Sequence, residues 1–199
     1  MGNLVTYVAV GAALAACVSV HGSGVGARSF GGALLAVAAL ADLYDGRFAR
    51  LFPRTDEQKR FGVQIDSLSD VLSFGLAPVV VLAHVTLFGS AAERAVFSAC
   101  GFAYLLCAVT RLAYYNVKEG EGEQAGFVGV PTTLFGLVWS AWLLGSPGVV
   151  VTSVALVAGG AAMVAPLKIA RPGVIAFVVL TLAALGLIVT HALREAQYA

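Results

Sequence analysis

The reading of this chain turns on Asp42-Leu43-Tyr44-Asp45-Gly46-Arg47-Phe48-Ala49-Arg50 and, after a gap of eleven residues, Gly62-Val63-Gln64-Ile65-Asp66-Ser67-Leu68-Ser69-Asp70. Four aspartates at spacings of 3, 21 and 4 sit between two strongly apolar segments. Asp42, Asp45 and Ala49 are three and four residues apart, so a helix aligns them on one face. Asp66 and Asp70 share a face of the next helix, and the polar link between the two is short enough for the faces to meet. An unpaired carboxylate in a membrane helix costs about 2.5–3.5 kcal/mol on insertion scales, so four together call for a compensating cation. Arg47 and Arg50 are too few, because they also serve the link. An oxygen-only ligand set suits a hard divalent ion such as magnesium, manganese or calcium, and four carboxylates suffice to bridge two of them. Two ions in such a site polarise a phosphoryl group and stabilise the attacking and leaving oxygens, which points to phosphoryl transfer. Water-facing helix ends would explain any one of these aspartates, but not four at this spacing with Gly46, Ala49, Arg50 and Gly62 among them.

The composition around this stretch is that of a membrane protein. The 199 residues are 59% hydrophobic and 12% charged, with a mean hydropathy of +0.90, which excludes an ordinary soluble domain. A net charge of +1 supplies no basic surface for nucleic acid. Cys17, Cys100 and Cys107 lie in apolar stretches without C-x-x-C spacing, so they read as small buried hydrophobes rather than a disulfide or zinc framework. A cleaved signal peptide is not expected, since the first residues lack a positive n-region.

About 20 apolar residues span a bilayer as a helix, and that ruler divides the chain into seven helices, with six and eight as the bounds. The expected spans run from about Leu4 to Val20, Phe30 to Leu51, Gly62 to Phe88, Glu93 to Asn116, Pro131 to Gly145, Gly148 to Ala165 and Gly173 to His191. His21 to Gly26 reads as a turn, Pro53 to Arg60 as a polar link and Lys118 to Gln124 as a solvated loop. The whole of 1–199 is expected to form one all-α, polytopic transmembrane bundle. With the N-terminus cytoplasmic, one side collects Arg47, Arg50, Arg54, Lys59, Arg60, Arg111, Lys118, Lys168 and Arg171, while the other keeps Arg28, Arg94 and Arg194. That imbalance places the carboxylates at the cytoplasmic boundary. Glycine and alanine at helical spacing, as in Gly31, Gly32, Ala36 and Ala39, fit close helix packing. His21, His84 and His191 read as interfacial or packed side chains, and Tyr114, Tyr115, Trp139 and Trp142 as packing or belt aromatics.

The paired stretches resemble the signature of the CDP-alcohol phosphotransferases, D-x2-D-G-x2-A-R, a gap, then G-x3-D-x3-D, with every fixed position present. The gap here is eleven residues, where the family usually has about eight; the excess falls in the polar link around Thr55 to Lys59, where extra length is cheap. The resemblance implies an integral membrane phosphotransferase using two divalent cations, Mg2+ or Mn2+. It implies Asp42, Asp45 and Asp66 as metal ligands, Asp70 as ligand and general base, and Gly46, Ala49, Arg50 and Gly62 as the lining of the CDP site. Family members commonly form homodimers, so a homodimer is implied as well.

Further runs resemble the phosphatidylserine synthases of that family: Asp66 through Pro78, Arg111-Leu112-Ala113-x-Tyr115-Asn116, Phe127-x-Gly129-x-Pro131, and Met163-Val164 with Lys168-Ile169. The reaction so implied is CDP-diacylglycerol plus L-serine giving phosphatidylserine and CMP. Arg111 is then the candidate partner of the serine carboxylate, with topology anchor or phosphate partner as its other readings, and Asn116 either binds substrate or caps its helix. Tyr114 stands where those synthases commonly carry a second arginine. Two alternatives remain beside this reading. The acceptor is inositol phosphate, glycerol phosphate or another small alcohol, although Arg111 and Lys168 make a small basic cluster for a phosphorylated one. Or the chain is a divalent-cation transporter, against which the clustering of carboxylates at one side speaks.

Overall fold

A helix entering a membrane must satisfy its own backbone groups, and the described residues do so with seven helices. The computed structural model describes residues 4–21, 24–120, 127–169 and 173–198. Among the described residues the helices are α1 (Leu4–Ser19), α2 (Val25–Ala49), α3 (Asp56–Val85), α4 (Ala91–Gly120), α5 (Thr132–Trp142), α6 (Val149–Val164) and α7 (Val174–Tyr198). The helix count and the all-α membrane bundle are as the sequence implies. Four of them, α2, α3, α4 and α7, are long and apolar enough to cross a membrane. The 11 residues of α5 rise only about 16 Å, roughly half a hydrocarbon core, so this helix is too short for a full crossing, as the length of its apolar segment implies.

Three boundaries shift for physical reasons. The α2 helix starts at Val25, five residues before the expected Phe30. The α3 helix starts at Asp56 rather than near Gly62, because Thr55 and Gln58 form a reciprocal capping box, Gln58 N donating to Thr55 Oγ1 at 3.2 Å and Thr55 N to Gln58 Oε1 at 3.1 Å. Asp56 and Glu57 in the first turn favour the positive helix end, so most of the gap's extra length is helical rather than loop. The α4 helix runs on to Gly120, past the expected start of the polar loop at Lys118, and 121–126 lie outside the described residues, as does Arg171.

Immediately after Asp70, α3 widens into a π-helical segment, Val71–Leu76, with Ala77 N donating to Leu72 O. Pro78 explains it: lacking an N–H, it cannot serve the carbonyl of Phe74 four residues back. Tyr104 of α4 replaces that donor, its hydroxyl giving a 2.8 Å bond to Phe74 O. Trp139 Nε1 of α5 in turn donates to the Tyr104 hydroxyl at 2.9 Å. Tyr104 and Trp139 are thus core residues, packed edge to face with each other.

Helix α2 is the hub, packing against α1, α5 and α7, while α4 packs along α6. Close approach rests on small residues: a Cβ at Gly136 of α5 would meet the Phe74 ring at 2.8 Å and the Cβ of Ala39 at 3.1 Å. At the end away from the aspartates, His191 of α7 is fully buried and bonds Ser140 O at 3.0 Å, while Ser140 Oγ donates to Gly32 O at 2.8 Å. Arg194 donates to Leu144 O nearby. His191 is therefore packed, and the outer face of α7, including Ile175, Leu182 and Val189, is left exposed. Cys17, Cys100 and Cys107 are half-buried free thiols.

Two short strands, Phe127–Val128 and Lys168–Ile169, pair antiparallel, joining two segments the sequence reading treated separately. Gly129 continues the first with φ of 78°, and a Cβ there would lie 1.8 Å from Met163 O, so only glycine fits. Gly129 N bonds Leu167 O at 2.9 Å and Val130 N bonds Ala162 O at 3.0 Å. These bonds fix Pro131 and the start of α5 against the end of α6.

Tyr104→Phe removes the substitute donor of Phe74 O and the acceptor of Trp139 Nε1 together. It is expected to destabilise the protein by about 1–3 kcal/mol, read as a lower thermal midpoint in detergent with altered tryptophan emission; an unchanged midpoint would mean the π segment holds without it.

Candidate active site

Because the helices alternate direction, the start of α1, the end of α2, the start of α3, the end of α4 and the start of α5 all reach one end of the bundle. That end gathers Asp42, Asp45, Asp66 and Asp70 with Arg47, Arg50 and Arg111. Asp42 and Asp45 lie in the last third of α2, on the face turned away from α7. The opposite face of this helix is occupied, with Tyr44 edge-on to Phe177 at 5.0 Å and the Arg47 guanidinium 3.5 Å from the same ring's centre. Asp66 and Asp70 approach from α3.

The structure brings these aspartates together. Asp42, Asp45 and Asp66 each offer a carboxylate oxygen within 4.8 Å of the others, a spacing one cation can span. Asp70 adjoins Asp42. Asp45 and Asp70 are 7% and 8% exposed, Asp42 is half-buried and Asp66 is exposed, so the cluster grades from the bundle interior to its rim. Asp70 Oδ1 is buried and receives no hydrogen bond from the protein. A buried carboxylate oxygen without a donor, beside a second carboxylate, is an arrangement a cation would satisfy.

The other oxygens of three aspartates are held by threonines that the sequence reading did not single out. Thr6 Oγ1 of α1 donates to Asp45 Oδ2 at 3.0 Å, Thr133 Oγ1 to Asp42 Oδ2 at 2.6 Å, and Thr132 Oγ1 to Asp70 Oδ2 at 2.9 Å. The one available signal was the position of Thr132 and Thr133 directly after Pro131, at a helix start. Thr6 carried none, because a threonine among alanines and valines is ordinary in a membrane helix. Ser69 Oγ also bonds Thr6 O at 3.4 Å, tying α3 to α1 at this level.

Beside the aspartates, Gly46 is exposed and a Cβ on it would meet nothing within 4 Å. Arg50 is exposed at the end of α2, its Nε donating to Gly46 O at 2.9 Å, while Ala49 is buried between them and the core. Gly62 is half-buried one turn before Asp66. The four positions thus border the rim of the cluster. Arg111 of α4 is only 7% exposed, its Nη1 3.5 Å from Thr132 Oγ1 and its Nε without a partner. It sits inside the site rather than at a surface, which removes its reading as a topology anchor. Asn116 does not cap α4, which continues four residues further. Its amide exchanges bonds with Ser67, Asn116 Nδ2 to Ser67 Oγ at 2.9 Å and Ser67 Oγ to Asn116 Oδ1 at 3.1 Å, latching α4 to the turn of α3 between Asp66 and Asp70.

The chain is 36% identical to a CDP-diacylglycerol--serine O-phosphatidyltransferase of Mycobacterium tuberculosis, over 64% of this chain and 49% of that protein. An archaetidylserine synthase of Methanothermobacter thermautotrophicus is 35% identical over 56% of this chain and 45% of its own length. A CDP-diacylglycerol--serine O-phosphatidyltransferase of Helicobacter pylori is 30% identical over 49% of this chain and 39% of its own. The chain spans about half the length, or less, of the curated relatives it matches. The family model for CDP-alcohol phosphatidyltransferase matches residues 1–192, and the chain belongs to that family.

Proposed function

We propose that this chain transfers the phosphatidyl group of CDP-diacylglycerol to L-serine, releasing CMP and forming phosphatidylserine. The observation that carries the reading is the gathering of Asp42, Asp45, Asp66 and Asp70 at one end of the bundle, with a buried oxygen of Asp70 lacking any donor. The names of the relatives supply the choice of serine.

On this reading Asp42, Asp45, Asp66 and Asp70 hold two divalent ions, Mg2+ or Mn2+, as the all-oxygen donor set favours. Bound there, the ions would neutralise the diphosphate and stabilise charge on the attacking and leaving oxygens. Gly46 leaves room at the rim for the cytidine diphosphate, and Arg50 is placed to pair with a phosphate oxygen. Asp70 accepts the proton of the serine hydroxyl, whose oxygen bonds to the phosphorus on the diacylglycerol side as the bond to the CMP oxygen breaks. Arg111 meets the serine carboxylate through the donors that Thr132 does not engage. On the same reading the site faces the cytoplasm, where a soluble amino acid and a membrane-held CDP-lipid meet; the excess of positive charge expected on that side of the sequence supports it. Homodimer formation belongs to the same proposal and is read from the mass of the detergent-solubilised protein by light scattering.

The direct test incubates purified protein with CDP-diacylglycerol, Mn2+ or Mg2+ and labelled serine. CMP and labelled phosphatidylserine are expected. Product with glycerol phosphate or inositol phosphate but not serine would reassign the acceptor, and metal flux into liposomes without CDP-lipid would revive a transporter.

Three variants probe the parts. Asp70→Asn should keep CDP-lipid binding and lose turnover; unaltered turnover would remove the base role. Gly46→Val should leave the thermal midpoint unchanged or higher, since nothing in the protein crowds that position, yet weaken CDP binding; undiminished binding would put the nucleotide elsewhere. Asp66→Asn removes one of several like charges, so without metal it should raise the midpoint, while the added stability conferred by Mn2+ shrinks. Loss of stability in metal-free buffer would show that Asp66 is structural.

A further inference from the structure

Serine and threonine hydroxyls inside helices usually turn back to a carbonyl one turn earlier. Several here do so: Thr152 Oγ1 bonds Gly148 O at 3.1 Å, Thr190 Oγ1 bonds Gly186 O at 2.7 Å and Ser98 Oγ bonds Arg94 O at 2.8 Å. Thr6, Thr132 and Thr133 do not. Each instead donates to an oxygen of a different aspartate, and in each case the oxygen is Oδ2. Thr132 and Thr133 occupy the first turn of α5, and from consecutive positions they reach α3 and α2 respectively. All three aspartates so engaged are buried or half-buried.

The direction of one of these bonds is settled by chemistry. A threonine hydroxyl has a single proton, and an arginine side chain is a donor only. With Arg111 Nη1 at 3.5 Å from Thr132 Oγ1, the threonine oxygen accepts on that side and its proton goes to Asp70. Oδ2 of Asp70 is committed as an acceptor, and Oδ1, which has no donor, is left over. At Asp42 and Asp45 a threonine likewise bonds one oxygen, and a carboxylate hydrogen-bonded in this way has lost its freedom to rotate away.

We propose that Thr6, Thr132 and Thr133 are positioning residues, each pinning one oxygen of Asp45, Asp70 and Asp42 so that the remaining carboxylate oxygens converge on the divalent ions. The proposal rests on the metal-holding reading of the site. Outer partners of this kind orient ligands that would otherwise have to be ordered by the ion itself, and their loss lowers metal affinity. Thr132 carries a second task, since it passes the influence of Arg111 to Asp70. The short α5 and the glycine-anchored strand before it then have a purpose beyond packing: they hold two adjacent hydroxyls against two helices.

The test measures Mn2+ binding to purified protein without substrate, from the electron paramagnetic resonance signal of the free ion, for wild type and for Thr6, Thr132 and Thr133 each changed to Val, Ala or Ser. Val and Ala variants are expected to bind Mn2+ about 10- to 100-fold more weakly, and Ser variants, which keep the hydroxyl, to bind as wild type. Monodispersity on size exclusion checks the fold, and the Ala and Ser pair decides any position at which Val fails to fold. Wild-type affinity in the Val and Ala variants would overturn the positioning role alone, as would Ser variants as weak as Ala. A wild-type protein that binds no Mn2+ would instead overturn the metal-holding reading beneath it.

Discussion

Repulsion among four carboxylates gathered at one end of an apolar bundle is the constraint on which the rest of this structure depends. Asp45 and Asp70 are nearly buried, and Asp42 lies against Asp70. Such a group does not assemble by hydrophobic packing, which is indifferent to where an aspartate goes as long as it reaches water. It is held by polar contacts made one at a time: threonine hydroxyls on three of the aspartates, the Ser67–Asn116 exchange between Asp66 and Asp70, and Arg111 behind Thr132. These contacts come from α1, α4 and α5 as well as from α3 itself, so the site is a product of the tertiary fold and not of its signature stretch alone.

The bundle serves that assembly through rigidity. Helix α2 is fixed on one side by α7, where Phe177 takes both Tyr44 and Arg47, and on the others by α1 and α5. Directly below Asp70, Pro78 breaks the hydrogen-bond ladder and the Tyr104 hydroxyl repairs it, leaving a π segment whose extra residue sets the rotation of Asp70 relative to the helix beyond. Gly129 anchors the start of α5 to the end of α6 at a point where no side chain fits. Pro78 and Gly129 lie in segments that resemble the synthases, and all of these devices act on the aspartates from outside the signature.

The sequence made the aspartates, their pairing across two helices and the number of helices legible, because hydropathy and a 3.6-residue period carry that information directly. The start of α3 was also open to reading, since Thr55 and Gln58 are a capping pair in plain sight, but hydropathy placed the helix at Gly62 where the apolar residues begin. Thr6, Thr132 and Thr133 were not legible, because a hydroxyl's partner depends on the packing of helices far apart in sequence: Thr133 meets Asp42 across 91 residues. The same applies to Arg111, whose burial against Thr132 distinguishes it from a surface anchor, and to the pairing of Phe127–Val128 with Lys168–Ile169. Position-specific signals carried the chemistry, while the supporting shell needed the fold.

The most direct test of the central claim is anomalous scattering from crystals of the protein grown with Mn2+ and a CDP-alcohol, recorded at the manganese edge. Two peaks among the carboxylates of Asp42, Asp45, Asp66 and Asp70, with the diphosphate against them, are the result this account predicts. Manganese located elsewhere, or a nucleotide bound away from an ion-free aspartate cluster, would contradict it.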